Sequence, residues 1–207
     1  MVTMGEGVVR VAPDRAFVTI AAESRAASPR DAQRRNTEAM GAVQQGLKTL
    51  GLPADGVRTL AYDLQPEFNY VSGRQVLKGY VARNAIEVRI DQIERVGEVI
   101  EAGVSSGATS IRDIRFDLKA RDAAERDALR LAVVDARARA EAVAAGAGRT
   151  FDRIVRVEEQ GAVVEPPPRP MMGMRAEAVA AAPAPPVPVE PGELEIRARV
   201  TLVARMK

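Results

Sequence analysis

Residues 193–204 place the strongest constraint on the fold, because apolar and polar side chains alternate there without interruption. One face of the predicted strand carries Leu194, Ile196, Ala198, Val200 and Leu202. A strand of this kind buries its apolar face against a core, and its backbone N–H and C=O groups need neighbouring strands. We therefore predict a terminal strand that returns to a sheet.

The preceding segment, residues 161–192, has the composition of a linker. It contains nine of the chain's 13 prolines together with runs of alanine. Such a composition does not bury enough apolar surface to fold, so we predict a flexible internal Pro/Ala-rich linker. The linker leaves two alternatives open for the last strand: it pairs within its own subunit, or it is exchanged onto the sheet edge of a neighbouring subunit.

The rest of the chain alternates between strand and helix patterns. Period-two alternation and turn residues predict strands over residues 3–11, 16–23, 57–68, 76–90, 114–118 and 154–159. Capping residues and helical periodicity predict helices that begin at Ser28, Asp91 and Asp122. The second helix has Ile93, Val96, Ile100 and Val104 inward, and the third has Leu129, Ala132, Val133, Ala136, Ala140, Val143, Ala144 and Ala147 inward.

This order, β-β-α-β-β-α-β-α-β-linker-β, predicts the fold class. The hairpins favour mostly antiparallel sheets packed against three helices, which is an α+β fold. We expect a single domain over residues 1–207, with a division into two lobes as the alternative.

The chain contains no cysteine and no histidine. This excludes disulfides, thiolate nucleophiles and zinc–thiolate sites, and it removes the usual general base and the commonest transition-metal ligand. Carboxylate pairs such as Glu158–Glu159 and Glu98/Glu101 fall on a strand end and a helix surface, where solvation explains them. We therefore assign no catalytic residue, no cofactor and no metal ligand.

The charges are balanced, with 30 basic and 28 acidic residues. Arg34–Arg35 and the pair Arg137/Arg139 are typical of solvated helix flanks, and aromatic residues make up only 3% of the chain. We therefore predict no nucleic-acid partner. No run of 18 apolar residues is present, which predicts no transmembrane helix. The N-terminus shows no basic-then-apolar signal peptide, which suits a cytosolic protein or a mature envelope protein.

Several residues invite a chemical interpretation and have a simpler structural one. Gly5-x-Gly7 imitates part of a dinucleotide fingerprint, but it precedes no helix, so a bulge or the close approach of a neighbour is the better explanation. We expect Asp14 to form a turn after Pro13, and Asn84 to be a hydrogen-bonded amide in the core.

Two other groups suggest ligand binding more weakly. Tyr62, Tyr70 and Tyr80 flank one hairpin and are suited to lining a pocket or forming an interface. Met171-Met172-Gly173-Met174 offers soft thioether ligands for copper, against the alternative of an adaptable apolar patch.

A set of motifs, taken in chain order, resembles one known family. They are Gly5-x-Gly7, Ala12-Pro13-Asp14, Thr59-x-x-Tyr62-x-Leu64-x-Pro66, Gly79-Tyr80 with Asn84, Ala108-x-x-Ile111-x-x-Ile114-x-Phe116, and the alanine-rich helix 124–147. The chain resembles the SIMPL-domain family of bacterial envelope proteins over nearly its whole length. The resemblance implies a periplasmic or outer-membrane-associated protein that self-associates, is linked to stress tolerance or immunogenicity, and has no defined reaction.

These observations together predict a non-enzymatic, self-assembling binding or scaffold protein of the cell envelope. The partners expected are further copies of the chain and an envelope protein. Two alternatives stay open: copper handling through residues 171–174, and a carboxylate-based hydrolase.

Overall fold

The computed structural model describes residues 1–71, 73–165 and 190–207, and it confirms the α+β fold class. Two antiparallel sheets and three α-helices are formed by the described residues. The elements are β1 (Val2–Val11), β2 (Arg15–Ala26), α1 (Pro29–Thr49), β3 (Val57–Val71), β4 (Arg74–Ile90), α2 (Val96–Ser105), β5 (Ser110–Asp117), α3 (Arg121–Gly146), β6 (Phe151–Glu165) and β7 (Leu194–Met206).

The chain forms two compact units. The α1 unit contains residues 14–116, in which β2 to β5 with α1 and α2 follow one another without interruption. The α3 unit contains β1, α3, β6 and β7, so its residues precede and follow the α1 unit in the sequence.

In the α3 unit, the last strand lies in the centre of the sheet, whose order is β1-β7-β6. β1 pairs with β7 from Val2 opposite Val203 to Val11 opposite Leu194. The alternating apolar residues of β7 are buried, as the pattern predicted. Within this single chain, β7 pairs with β1 on one side and β6 on the other.

β6 is longer than its sequence pattern predicted. The expected strand over 154–159 runs from Phe151 to Glu165, so residues 161–165 continue a strand where a linker was expected. β7 supplies the ladder for this extension, with Val163 opposite Arg197 and a register shift between Glu159 and Ala162. The rest of the predicted linker, from residue 166 to residue 189, lies outside the described residues.

α3 packs on this sheet through alanine. Its fully buried positions recur at every fourth residue, namely Ala128, Ala132, Ala136, Ala140 and Ala144. The prediction that Val143 and Ala147 face inward is wrong, because Val143 is half-exposed and Ala147 is an exposed residue just beyond the end of the helix. The predicted stripe, with spacings of three and four, would place larger side chains between α3 and the sheet. A contact made by alanine alone lets the backbone of α3 approach the backbone of the sheet closely.

Gly5 and Gly7 of β1 lie on the other side of this contact. A Cβ atom built on Gly7 would lie 2.0 Å from the backbone oxygen of Ala128, and one on Gly5 would lie 2.1 Å from that of Ala132. Two residues of a strand span about 6.8 Å and four residues of a helix span about 6 Å. The spacing of the two glycines on β1 therefore matches the spacing of the buried alanines on α3. The interpretation of these glycines as sites of close approach is confirmed, and the neighbour is α3.

Polar groups of β1 also bond to α3. The hydroxyl of Thr3 donates to the backbone oxygen of Ala136 at 2.8 Å, and the amide of Glu6 donates to a carboxylate oxygen of Asp135 at 3.0 Å. The hydrogen bond from the Glu6 amide, together with Arg139, lowers the pKa of Asp135 below its usual 3.8. Asp135 thus provides a hydrogen-bond acceptor for an amide of the strand at the edge of the sheet.

This lowered pKa predicts an acid-dependent loss of stability. A carboxyl group with a lowered folded-state pKa stabilises the fold above its unfolded-state pKa, and that stability is lost as the pH falls through the folded value. We expect the free energy of unfolding to decrease less between pH 7 and pH 3 in Asp135→Asn than in the parent, measured by urea titration. Asp127→Asn, on the exposed side of the same helix, is the control and should retain the parent's decrease. Equal pH dependence in the parent and Asp135→Asn would contradict this role.

The α1 unit is a four-stranded sheet of order β3-β4-β2-β5 with α1 and α2 on one face. Ser28 caps α1 as predicted, since its hydroxyl accepts from the amide of Asp31 at 3.1 Å. The prediction that α2 buries Val104 is wrong, because the buried positions are Val96, Val99, Ile100 and Gly103. The buried stripe of α2 runs at spacings of three, four and seven from Val96, so Gly103 takes the inward position and Val104 lies beside the stripe.

Asn36 lies in the middle of the buried face of α1 and is fully buried. Its side-chain amide donates to the backbone oxygens of Ala22 on β2 and Ala82 on β4, at 2.8 and 3.1 Å. One helix residue therefore joins the two central strands of the sheet.

Candidate functional site

The β3–β4 hairpin extends beyond the sheet to which it belongs. β4 pairs with β3 as far as Val71 opposite Arg74, whereas its pairing with β2 stops at Tyr80 opposite Ala26. Residues 66–71 and 74–79 therefore form a two-stranded ribbon, which we call the hairpin arm. Isolated two-stranded ribbons are at best marginally stable in water. The arm is thus a protrusion for which further contacts would be stabilising.

Large apolar side chains are exposed on this arm. Phe68, Tyr70 and Leu77 are 42, 77 and 49% exposed. Phe68 lies opposite Leu77 in the ladder, and Tyr70 follows on the same face because side chains alternate along a strand. This face continues that of Tyr62 and Leu64 along β3, and together the five residues form the apolar face of the hairpin.

β3 is also the edge strand of the four-stranded sheet, so one side of its backbone has no strand neighbour within the described residues. Exposed edges of long strands are templates for pairing with another chain. Register shifts between Thr59 and Ala61 and between Glu67 and Phe68 bend the hairpin at its base and at the start of the arm.

The start of the arm is fixed by close packing and ion pairs. A Cβ atom on Gly79 would lie 2.7 Å from the backbone oxygen of Ala26, so glycine is needed where β4 leaves β2. Glu67 lies 3.3 Å from Lys78 and 3.4 Å from Arg25. Burial raises the pKa of Glu67, but Lys78 and Arg25 outweigh it and the resulting pKa is below the usual value. The charges hold the base of the arm while its apolar face stays exposed.

The three tyrosines singled out in the sequence lie on this hairpin. Tyr62 and Tyr70 are exposed on the apolar face, and Tyr80 is partly buried opposite Pro66. Asn84 lies opposite Tyr62 and Ala22, but its buried side-chain oxygen has no hydrogen-bond partner among the described residues. Asn36 donates twice through its amide nitrogen, although its own side-chain oxygen is likewise buried without a hydrogen-bond partner among the described residues. Its spacing of four from both Ala32 and Met40 on the apolar stripe of α1 is the signal that was missed.

The other singled-out residues are dispersed. Asp14 is exposed in the connection between β1 and β2. Glu98 pairs with Arg95 on the surface of α2, and Glu158 pairs with Arg156 on β6. The candidate copper ligands Met171, Met172 and Met174 lie outside the described residues.

Three of the four arginines of the helix flanks bond to acidic residues of their own helices, and Arg35 instead donates to the backbone oxygen of Arg25 at 3.1 Å. Arg34 contacts Asp31 and Glu38, both at 3.3 Å. Arg137 and Arg139 likewise contact acidic residues one turn away on α3. These contacts explain the basic pairs as solvated helix surfaces.

The carboxylates do not converge on a reaction centre in the part of the chain described. Across residues 1–71, 73–165 and 190–207, no three acidic side chains are grouped so that they could hold a metal ion. The carboxyl groups with clearly shifted pKa values are Asp31, Glu67, Asp135 and Glu195, and in each the pKa is lowered. A general acid needs a raised pKa, so these shifts give the hydrolase alternative no support.

None of the described helices combines the length and the apolar character required to cross a bilayer. The fold and the hairpin define an α+β protein whose distinguishing surface is an apolar strand edge suited to binding. The chain belongs to the SIMPL family, described as "Protein of unknown function (DUF541)", which it matches over residues 1–204. The resemblance drawn from its motifs is thereby confirmed.

The curated relatives extend this comparison. The chain is 29% identical over 172 residues to the "26 kDa periplasmic immunogenic protein" of Brucella abortus (strain S19), which covers 81% of this chain and 67% of the relative. It is 24% identical over 168 residues to the "Uncharacterized protein YggE" of Escherichia coli (strain K12), covering 81% and 68%. These names state no reaction, and one of them states a compartment.

Proposed function

We propose that this chain is a non-enzymatic protein of the cell envelope that assembles with further copies of itself into a binding scaffold. The envelope assignment is supported by the periplasmic name of the Brucella relative and by the family. The family resemblance adds outer-membrane association, a role in stress tolerance and an envelope protein as partner to the proposal.

The observation that carries self-assembly is the combination of an edge strand with an exposed apolar arm. A second copy that adds its own β3 antiparallel to this edge pairs the open side of the backbone. The contact is self-complementary and closes as a dimer, since each copy offers the same strand. Phe68 and Tyr70 on β3 then gain cross-strand neighbours from the same face of the partner's strand, which supplies a hydrophobic gain that the free arm lacks.

β7 is less suited to this role. It already pairs on both sides, with β1 and β6. Assembly by exchange of the last strand would require both ladders to open, whereas assembly through β3 leaves every described ladder intact. The proposal therefore places the contact at β3 and the arm.

The test is the solution mass of the protein by light scattering over a range of concentrations. We expect a multiple of the 22.2 kDa chain mass, and a shift to the monomer in Phe68→Lys, because the substitution removes the apolar cross-strand contact and brings like charges of the two copies together. Val134→Lys, a half-exposed position on α3, is the matched control and should leave the mass unchanged. A parent protein that stays at the chain mass, or a multimer unaffected by Phe68→Lys, would exclude this assembly.

A further inference from the structure

A cavity of about 380 Å³ lies at the end of α1, within the α1 unit. The helix ends at Thr49, and Gly51 reverses the chain with a φ of 67°. The chain then returns through Pro53 and a single 3-10 turn, Ala54–Gly56, to the start of β3. The cavity is lined by Leu47, Leu52, Pro53 and Val57, with Gln44 and Lys48 as its polar members.

The lining separates into an apolar part and a polar rim. Leu47 is buried, and Leu52 and Val57 are partly buried against the same core, so these side chains are fixed in place. Gln44 and Lys48 are exposed and lie one turn apart on α1. The volume is at the lower end of the range for small-molecule sites, which favours a slender ligand.

The charge at the rim is positive and uncompensated. Lys48 forms no ion pair with any described residue, unlike Lys78, which pairs with Glu67. The carbonyls at the end of α1 are already bonded: Leu50 and Gly51 donate to the oxygens of Leu47 and Lys48, at 3.2 and 3.0 Å. The guanidinium of Arg95 bonds to the oxygen of Leu50 at 2.7 Å, while its own charge is paired with Glu98 at 2.8 Å. These contacts offset the negative end of the helix dipole, which would otherwise favour a cation.

We propose that this cavity binds a free straight-chain monocarboxylate of medium length. Its alkyl chain packs against Leu47, Leu52, Pro53 and Val57, and its carboxylate pairs with the Lys48 ammonium. Gln44 offers the head group an amide donor from the same side of the helix.

The first test is a series of hexanoate, octanoate and decanoate, each titrated below its micelle concentration and followed by NMR shifts of the amides of residues 44–57. Each methylene buried in the cavity should strengthen binding about fourfold. A series without chain-length dependence, or one whose shifts lie elsewhere on the protein, would overturn the proposal.

The second test blocks the cavity with a matched pair of substitutions. Gln44→Trp places a large side chain at the rim and should abolish decanoate binding. Gln45→Trp makes the same change at the neighbouring exposed position of α1, outside the cavity lining, and should leave decanoate binding unchanged. The chain contains no tryptophan, so each variant also carries its own fluorescent reporter of folding. Retained binding in Gln44→Trp would place the ligand outside this cavity.

The third test addresses the head group. Lys48→Gln should weaken decanoate binding about fivefold, the upper range for an exposed ion pair, and should leave decanol binding unchanged. Lys207→Gln makes the same charge change at an exposed site and should bind like the parent. Tighter binding of decylammonium than of decanoate would show that the helix end determines the site's charge preference and would refute the carboxylate assignment.

Discussion

Replacing Gly7 with alanine is expected to lower the free energy of unfolding of the α3 unit by about 3 kcal/mol or more. The new Cβ atom would lie 2.0 Å from the backbone oxygen of Ala128 and 2.5 Å from the backbone nitrogen of Ala132. Both atoms belong to the backbone of α3, so no rotamer change relieves the clash. β1 and α3 must move apart, and the alanine contacts along the helix are lost with them.

Gly41→Ala is the matched control for this substitution. Gly41 lies in α1, and a Cβ atom there meets no atom within 4 Å. Alanine favours a helix interior over glycine by up to about 1 kcal/mol, so this variant should be more stable than the parent. Urea titration measures both free energies, and hydrogen exchange locates the change to each unit. A Gly7→Ala protein as stable as the parent would show that β1 does not pack on α3 in this way.

Replacing Asn36 with leucine is expected to cost about 2 kcal/mol in the α1 unit, since two acceptors lose a donor while the unpartnered side-chain oxygen of Asn36 is removed. Leucine has nearly the same shape but donates no hydrogen bond, so the oxygens of Ala22 and Ala82 each lose a donor in a buried environment. Removing one partner of a buried hydrogen bond costs more than the bond itself contributes, because the remaining group is left without water. The loss falls where β2 and β4 form the centre of the sheet.

The control for Asn36→Leu is Gln33→Leu, on the exposed face of the same helix. It introduces the same side chain and should change the free energy of unfolding by less than about 0.5 kcal/mol. Thermal and urea unfolding of both variants provide the comparison. An Asn36→Leu protein more stable than the parent would mean that the buried amide is a cost to the fold rather than a link between its strands.

The sequence predicted elements well where local patterns determine them. The alternation of β7 and the serine cap of α1 identified both elements because each signal lies within a few residues. The partner of β7 could not be identified in this way, since Val2 and Val203 meet only in the folded sheet. The end of β6 was missed for the same reason: residues 161–165 become a strand because β7 provides a ladder for them.

The candidate site was predicted in part. The alternation of residues and the glycine turn predict the hairpin and the position of its tyrosines. The arm exists because β2 stops pairing with β4 before the hairpin ends, and no local sequence pattern predicts where that pairing stops. Asn36 was missed although its spacing from Ala32 and Met40 placed it on the apolar stripe of α1. A polar residue on such a stripe is easily taken as a break in the apolar pattern. Its hydrogen-bond acceptors, here the backbone oxygens of Ala22 and Ala82, lie on strands elsewhere in the sequence and cannot be identified from the helix alone.

The central position of β7 has a consequence for the order in which the protein folds during synthesis. The strands and helices of the α1 unit follow one another without interruption in the sequence, so all of them have been made once residue 117 has been added. β1 is made first, yet its ladder partner is made about 190 residues later. Domains generally fold as units during synthesis, and distant pairings form slowly. We therefore expect β1 to stay without its ladder partner while the α1 unit folds, and the α3 sheet to close only once β7 is present.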